Sequence, residues 1–318
     1  MSAIAQEVES QPACWKRAAE IAAPLRDELG APGRRVAVAG CGTSLYVARA
    51  FAALRETSGK GETDAFPASE FPSYRSYDRV VAISRSGTTT EVVQLLERLD
   101  DVPRTVVTAD ASSPVASLAE TTIVLDFADE RSVVQTRFAT SALALFRAHL
   151  GQDLAQAIAD GERALTLPLE PGPTGFDHVV FLGHGWSVGI AEEAALKLRE
   201  ATRTYSEAYP AMEYRHGPIS LAGERSLVWI LGSPDPAVAE DVRATGATVR
   251  VASLDPMAEL VLVHRMAIAL ADAKGAAHAA ARATSLALRV NFGLRQASGH
   301  SAAGPAGARP PRPTGACA

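Results

Sequence analysis

Val80-Val-Ala-Ile83-Ser84-Arg85-Ser86-Gly87-Thr88-Thr89-Thr90-Glu91 decides the fold of this chain. A short apolar run stops at hydroxyl-bearing residues around one glycine. Val92, Val93, Leu95, Leu96 and Leu99 then follow with helical spacing. The pattern reads as strand, tight loop, helix N-terminus. Backbone N–H groups at a helix start lack intrahelical acceptors and sit at the positive end of the helix dipole. One Ser or Thr is enough for an ordinary N-cap. Residues 84–90 carry five hydroxyls and a guanidinium, which suits an anion with several oxygens, most simply a phosphate.

The same rhythm extends to both sides. After a helical pattern over 13–29, strand-like segments at 35–39, 80–83, 104–108 and 122–125 alternate with helical patterns at 44–57, 89–99, 113–119 and 133–149. This alternation predicts an α/β fold, a parallel sheet with helices on both faces. The Pro- and Gly-rich stretch 167–175 reads as a linker. The rhythm then restarts, with strands at 178–182, 226–231 and 247–252 and helices at 186–203, 236–245 and 258–273.

The restart is a repeat. Val36-Ala-Val-Ala-Gly40-Cys-Gly42-Thr-Ser44 lies over Val179-Val-Phe-Leu-Gly183-His-Gly185-Trp-Ser187, Ala48 falls on Ala191, and Val80–Ile83 lies over Val228–Leu231. The hydroxyl loop has no counterpart, because Gly232-Ser233-Pro234-Asp235-Pro236 stands in its place. We therefore expect two tandem, doubly wound subdomains with one phosphate pocket. Residues 1–34 form an N-terminal helical segment, 35–155 the first domain, 176–274 the second, and 275–318 a diverged tail whose Gly/Pro/Ala/Arg composition predicts disorder.

Composition narrows the classes. The 318 residues suffice for two domains, and a net charge of -5 argues against general nucleic-acid binding. Cys14, Cys41 and Cys317 are far apart and show no metal spacing. No metal or cofactor is expected, and a reducing, cytoplasmic setting fits. The N-terminus lacks the apolar core of a signal peptide, and no apolar run approaches membrane-spanning length.

Two further constellations carry chemistry. Gly40-Cys41-Gly42-Thr43-Ser44 is a second strand–loop–helix turn. Its Gly-x-Gly invites a dinucleotide reading, but a third glycine and a well-placed acidic residue are missing. Thr43 and Ser44 suit a monophosphate or a sugar hydroxyl better. In a parallel sheet this turn and the 84–90 loop share the C-terminal strand ends, where ligands bind. The other constellation is Glu193, Lys197 and Glu200, which share one helix face, followed by Glu207, Tyr209, Glu213, Tyr214 and His216-Gly-Pro218. The plain alternative is a solvated, salt-bridged helix face. A carboxylate and a histidine brought together would move protons on a sugar.

Together these residues resemble the SIS (sugar isomerase) family, and within it the isomerase half of glutamine–fructose-6-phosphate aminotransferase and its stand-alone relatives. The likeness runs from Glu7-Val-Glu-Ser-Gln11-Pro12 to about residue 272. It includes Gly40–Ser44, Ala68-Ser-Glu-Phe71, Ser84-Arg-Ser-Gly87, Ser132-Val-Val-Gln-Thr-Arg137 and the block from Glu193 to His216-Gly-Pro. The resemblance implies that Ser44, Ser84, Arg85, Ser86 and Thr89 hold a sugar phosphate, while Thr43 and the Val133 backbone contact the sugar. It implies Glu200 as the C1/C2 proton-transfer base, Lys197 as its partner and His216 as the ring-opening acid–base, given across the interface of a homodimer. The fold it implies is a pair of tandem SIS subdomains.

Two departures shape the expected function. About 35 residues precede the first strand and residue 2 is a serine, which leaves no room for a glutaminase half with its N-terminal Cys nucleophile. The implied activity is then that of an amino-sugar-phosphate isomerase/deaminase of the glucosamine 6-phosphate/fructose 6-phosphate class. The D-x-P-R-x-L-x-K segment that usually closes the family also has no counterpart, and Lys274 comes too early to supply its lysine. That keeps a second class in view, a sugar-phosphate-sensing protein without turnover. A nicotinamide-dependent oxidoreductase would rest on Gly40-x-Gly42 alone. No nucleic acid and no membrane is expected among its partners.

Overall fold

Period-two alternation within the strands sets the layers. The computed structural model describes residues 2–72, 74–99, 101–232 and 235–275, so the expected tail lies, from residue 276, outside the described residues. Helices α1 (Ala3–Glu9) and α2 (Gln11–Ala22) precede β1 (Val36–Gly40), α3 (Thr43–Thr57), β2 (Thr63–Pro67), β3 (Arg79–Ile83), α4 (Thr90–Arg98), β4 (Arg104–Thr108) and β5 (Thr121–Val124). Then come α5 (Arg137–His149), α6 (Ala155–Ala164), β6 (His178–Gly183), α7 (Ser187–Thr202), β7 (Tyr205–Pro210), β8 (Ser226–Ile230), α8 (Pro236–Ala244), β9 (Thr248–Val251) and α9 (Pro256–Ala273).

The strands form two sheets, in the orders β2-β1-β3-β4-β5 and β7-β6-β8-β9. Every pairing in both is parallel. In each sheet the first strand in sequence stands second in space, so the chain order reverses between β1 and β3 and again between β6 and β8. Such switch points open a crevice at the C-terminal strand ends.

One face of each sheet looks into a common core. Val36, Val38, Val81 and Ile83 of the first sheet share it with Val179, Phe181, Leu227 and Trp229 of the second. The opposite faces have their own cores. Ala39, Ala82 and Val106 meet Val92, Leu95 and Leu96 of α4, and Val180, Leu182, Val228 and Ile230 meet Val238 and Val242 of α8. No helix among the described residues is long and apolar enough to cross a membrane.

The structure shifts several expected elements. The helix expected over 13–29 ends at Ala22, with Pro24 close behind, because a proline biases the preceding residue away from helical geometry. The segment 113–119 is a 3-10 turn at Pro114–Leu118 rather than an α-helix. The helix expected from 133 starts only at Arg137. Strands β2 and β7 and helix α6 were not anticipated. Both strands are sheet edges, only partly buried.

The two Gly-x-Gly turns are close geometric matches. Gly42 and Gly185 both take positive φ, 55° and 56°, a region that side chains with a Cβ disfavour. A Cβ on Gly40 would lie 2.7 Å from Ser44, and one on Gly183 would lie 2.5 Å from Ser187, so each glycine lets its helix start directly over the strand end. Helices α3 and α7 then touch. A Cβ on Gly189 would meet the Tyr46 carbonyl oxygen at 2.5 Å and the Ala50 nitrogen at 2.9 Å.

This contact gives a test. Gly to Ala inside a helix gains about 0.5–1 kcal/mol from the backbone. Overpacking costs about 1–3 kcal/mol, and the Tyr46 oxygen and Ala50 nitrogen are backbone atoms, which yield little. Gly189→Ala is therefore expected to lower the midpoint of urea unfolding, and a raised midpoint would mean that α3 and α7 are not in close contact.

Candidate active site

The site is assembled from helix starts. Helices α3 and α4 begin side by side at the C-terminal ends of β1 and β3, which pair in register (Ala39 opposite Ala82). Neither α3 nor α4 nor α7 has a side-chain cap at its N-terminus. By contrast, Asp235 caps α8 and Asp255 caps α9. Glu130 accepts the Arg137 N–H at the start of α5 at 2.9 Å. The positive ends of α3, α4 and α7 are thus free for an anionic ligand.

In the hydroxyl loop, Ser84 is buried and its Oγ lies 3.1 Å from Oγ1 of Thr89. Ser86 is exposed, with its Oγ 3.0 Å from Oγ1 of Thr88. Arg85 does not point free into the opening. It donates to the carbonyl oxygen of Glu130, reaches that of Ser132 at 3.5 Å and stands 3.9 Å from the Asp129 carboxylate. The residue expected to grip phosphate therefore ties this loop to the segment carrying Val133, whose side chain is exposed.

That segment is held from below as well. Glu7 is buried, and its Oε1 accepts the N–H groups of Arg131 at 2.7 Å and Ser132 at 3.1 Å. Buried Glu130 accepts the Thr136 hydroxyl at 2.7 Å besides the backbone of the α5 start. Gln11 links the two layers, with Nε2 3.2 Å from His264 Nδ1 and Oε1 accepting from Thr140 at 2.9 Å. The Glu7–Pro12 motif is thus a clamp on residues 130–140.

The charged face of α7 is not a solvated one. Thr43 donates to Glu193 at 3.1 Å, Glu193 lies 3.4 Å from the Lys197 ammonium, and Lys197 donates to Glu200 at 2.7 Å. Lys197 and Glu193 are 1% and 2% exposed, while Glu200 keeps 37% of its side chain open. This overturns the plain alternative of a salt-bridged surface helix. Burial pushes the Glu193 carboxyl up to about 7 against the pull of Lys197. Burial alone would lower Lys197, but Glu193 and Glu200 outweigh it and raise it. The result is a buried chain from the first turn (Thr43, beside buried Ser44) to a partly open carboxylate.

His216 stands apart. It is exposed after the short turn Glu213–Arg215, and among the described residues nothing hydrogen-bonds its ring. Within one chain it is not joined to Glu200. Lys274 is committed elsewhere, donating to Thr204 Oγ1 at 2.7 Å near the end of α7. Cavities of 310 Å³ between α1 and α9 and of 340 Å³ at the start of α8 contain none of these residues.

No protein-family model matches the chain. Among curated relatives, the glutamine–fructose-6-phosphate aminotransferase [isomerizing] of Thermus thermophilus is 31% identical over 255 residues, 68% of this chain and 41% of that protein. Its namesake in Neisseria meningitidis is 30% identical over 244 residues, 66% of this chain and 39% of that protein. The chain thus spans about two fifths of the length of these relatives. In fold it matches the C-terminal domain of the Francisella tularensis aminotransferase, with a TM-score of 0.69 and 19% identity over 86% of this chain and 97% of that one. The relatives and the solved folds that this chain matches are those of phosphosugar isomerase domains, in keeping with its resemblance to the sugar isomerase (SIS) family.

Other solved structures of this fold carry other names. Glucosamine-6-phosphate deaminase of Thermotoga maritima has a TM-score of 0.65 at 24% identity, covering 85% of this chain and 93% of that one. Tagatose-6-phosphate ketose/aldose isomerase of Escherichia coli reaches 0.74 at 19% identity, covering 86% and 93%. Each of these proteins is named for a sugar phosphate.

The residues that sequence reasoning missed are Glu130 and His264. His264 interrupts the apolar run Leu260-Val-Leu-Val263, and that break is the signal it offers. Burial, with Lys197 adding to it, drives its imidazole from 6.5 to about 3. The folded chain keeps it neutral, whereas the unfolded chain protonates it in this range. Its contribution to stability is complete above about pH 6.5 and is lost as the pH falls toward 3. Glu193 runs the other way, its contribution complete below 4.5 and lost as the pH rises through about 7. His264→Gln keeps a polar group facing Gln11. It should lower the urea midpoint at about pH 7.5 relative to that at about pH 5, because it removes a contribution present chiefly at the higher pH; an unchanged difference between the two midpoints would contradict a neutral, buried His264.

Proposed function

We propose that the chain is a sugar-phosphate aldose–ketose isomerase/deaminase acting on an amino-sugar phosphate of the glucosamine 6-phosphate/fructose 6-phosphate class. The observation that carries this is the Lys197–Glu200 pair. A carboxyl with one oxygen on a buried ammonium at 2.7 Å and with 37% of its side chain open is fixed and accessible. That is what a proton shuttle between neighbouring carbons requires. The sugar phosphates for which the relatives are named support the substrate class.

In this reading the chain comprises two tandem SIS subdomains, 35–155 and 176–274. Ser44, Ser84, Ser86 and Thr89 hold the phosphate at the uncapped starts of α3 and α4. Arg85 adds its charge while keeping residues 130–133 against the loop, so that the Val133 backbone and Thr43 meet the sugar. His216 opens the ring. Glu200 takes the proton from C2 and returns it to C1, passing through an enolamine from an amino sugar or an enediol from a neutral one. With the amino sugar, water then replaces the nitrogen at C2 and ammonia leaves. Lys197 holds Glu200 and offsets negative charge during transfer. The exposed, unpartnered ring of His216 suits donation to a second copy, which makes the active unit a homodimer.

Glu200→Gln tests the base. It should retain binding of glucosamine 6-phosphate in a thermal-shift titration and lose turnover by about two to four orders of magnitude. Normal turnover would remove Glu200 from the chemistry. Tight binding by the unaltered chain, with neither isomerisation nor ammonia release, would make it a sensor instead. The dimer has its own test. His216→Gln and Glu200→Gln, each inactive alone, should regain activity when mixed under subunit exchange, because one hybrid site is intact. No recovery would place His216 in its own chain's site.

A further inference from the structure

The strands of the first sheet have a second end. Helix α3 begins at the C-terminal end of β1, so its last turn, and Lys60 beyond it, lie where the strands start. There a cavity of 260 Å³ opens between residues 25–32, the end of α3 and the end of α5. It is lined by Arg26, Arg55, Lys60 and His149 against a single acid, Asp27.

Arg55 gives this cavity its field. Its side chain is 1% exposed. The guanidinium donates to the carbonyl oxygens of Ala31 at 2.8 Å and of Arg34 and Gly61 at 3.1 Å, and to the Thr63 hydroxyl at 2.8 Å. None of its hydrogen-bond acceptors is a carboxylate. Glu56, the nearby acid, is engaged with the Thr63 N–H at 2.8 Å. The donors are satisfied but the charge is not neutralised, and a buried charge in that state attracts an opposite one.

Three further groups converge without partners. Among the described residues, neither the Lys60 ammonium nor the Arg26 guanidinium has a hydrogen-bond or ion-pair partner. Nδ1 of His149 is buried and unpaired. Burial holds this imidazole below its ordinary value; Arg55 and Lys60 press in the same direction, and Glu28 and Asp27 press against it. The Glu28 carboxylate is itself taken up by the Arg26 N–H.

We infer that this cavity is a second anion site, which takes a phosphate group, as the free ion or as the ester of a small metabolite. Its volume excludes anything larger than a compact molecule. It is distinct from the hydroxyl loop. The 15 residues of α3 separate the two by about 22 Å, too far for one small ligand to bridge. Helix α3 therefore carries Thr43 and Ser44 at one end and the floor of an anion cavity at the other. The inference stands whatever the first site catalyses.

The test follows His149 by NMR of the 15N-labelled histidine rings of the full chain, with His149→Gln assigning the signal. Inorganic phosphate and glycerol 3-phosphate are the titrants. The tighter of the two tells whether the ion or its ester is preferred. We expect the His149 signal to shift saturably. In Arg26→Ala/Lys60→Ala, which removes two unpartnered side chains and leaves the buried Arg55 in place, the affinity should fall by at least about tenfold. Ser86→Ala/Thr89→Ala should leave it unchanged. Absence of a shift, an unaltered affinity in the Arg26/Lys60 variant, or loss of the response in the hydroxyl-loop variant would each overturn the second site.

Discussion

A lysine ammonium with 1% exposure is the constraint on which the centre of the molecule depends. Leaving such a group without its counter-ions would cost about 3–5 kcal/mol, so α7 has to bring Glu193 and Glu200 to it. Glu193 in turn is buried and takes the Thr43 hydroxyl at 3.1 Å. That bond fixes the start of α3 against the middle of α7. The near-absence of side chain at Gly189 is the steric counterpart, since it brings the two helices close enough for the bond to form. One electrostatic requirement thus ties the turn after β1 to the helix after β6.

The same requirement reaches the loop at residues 130–133. Glu130 acts on Lys197 through its charge, and Lys197 acts on His264. His264, Gln11 and Thr140 join α9, α2 and α5 in one buried polar network. Glu7 then fastens the loop by two backbone N–H groups, and Arg85 fastens it to the hydroxyl loop by two carbonyls. These pairings favour one arrangement of the loop, while Glu7 Oε2, Arg85 Nε and His264 Nε2 stay buried without a hydrogen-bond partner among the described residues. The segment that faces the opening is held at a loop's natural site of variability, on both sides, by charged groups.

The sequence disclosed those parts that rest on local pattern. Central strands β1, β3, β4, β6 and β8 are short apolar runs ended by Gly, Ser or Thr, and they stand where the runs stand. Edge strands β2, Thr-Asp-Ala-Phe-Pro, and β7, Tyr-Ser-Glu-Ala-Tyr-Pro, mix polar and apolar residues because each has one neighbour and half its surface open. Their proline and charged residues erase the run. The late start of α5 has a different cause: Arg131 and Ser132 are held by Glu7, 124 residues away at Arg131, and no local pattern encodes that. At the site, Glu193, Lys197 and Glu200 were readable as one helix face by spacing alone. Their burial was not, because it depends on α3 packing over them.

The asymmetry between the halves follows from what occupies each helix start. The two sheets share their parallel order, and their Gly-x-Gly turns share φ values within 1° (55° and 56°). At the switch point of the first sheet, α4 begins after four hydroxyls with no carboxylate on its N–H groups. At the same point of the second sheet, α8 begins with Pro236 at its first position, which removes a donor, and Asp235, which takes the Ala237 N–H at 2.9 Å. A helix end that already holds its own carboxylate repels a second anion. Equal backbones therefore give unequal helix starts, and the difference lies in whether a side chain of the chain caps the helix, as at α8, or none does, as at α4.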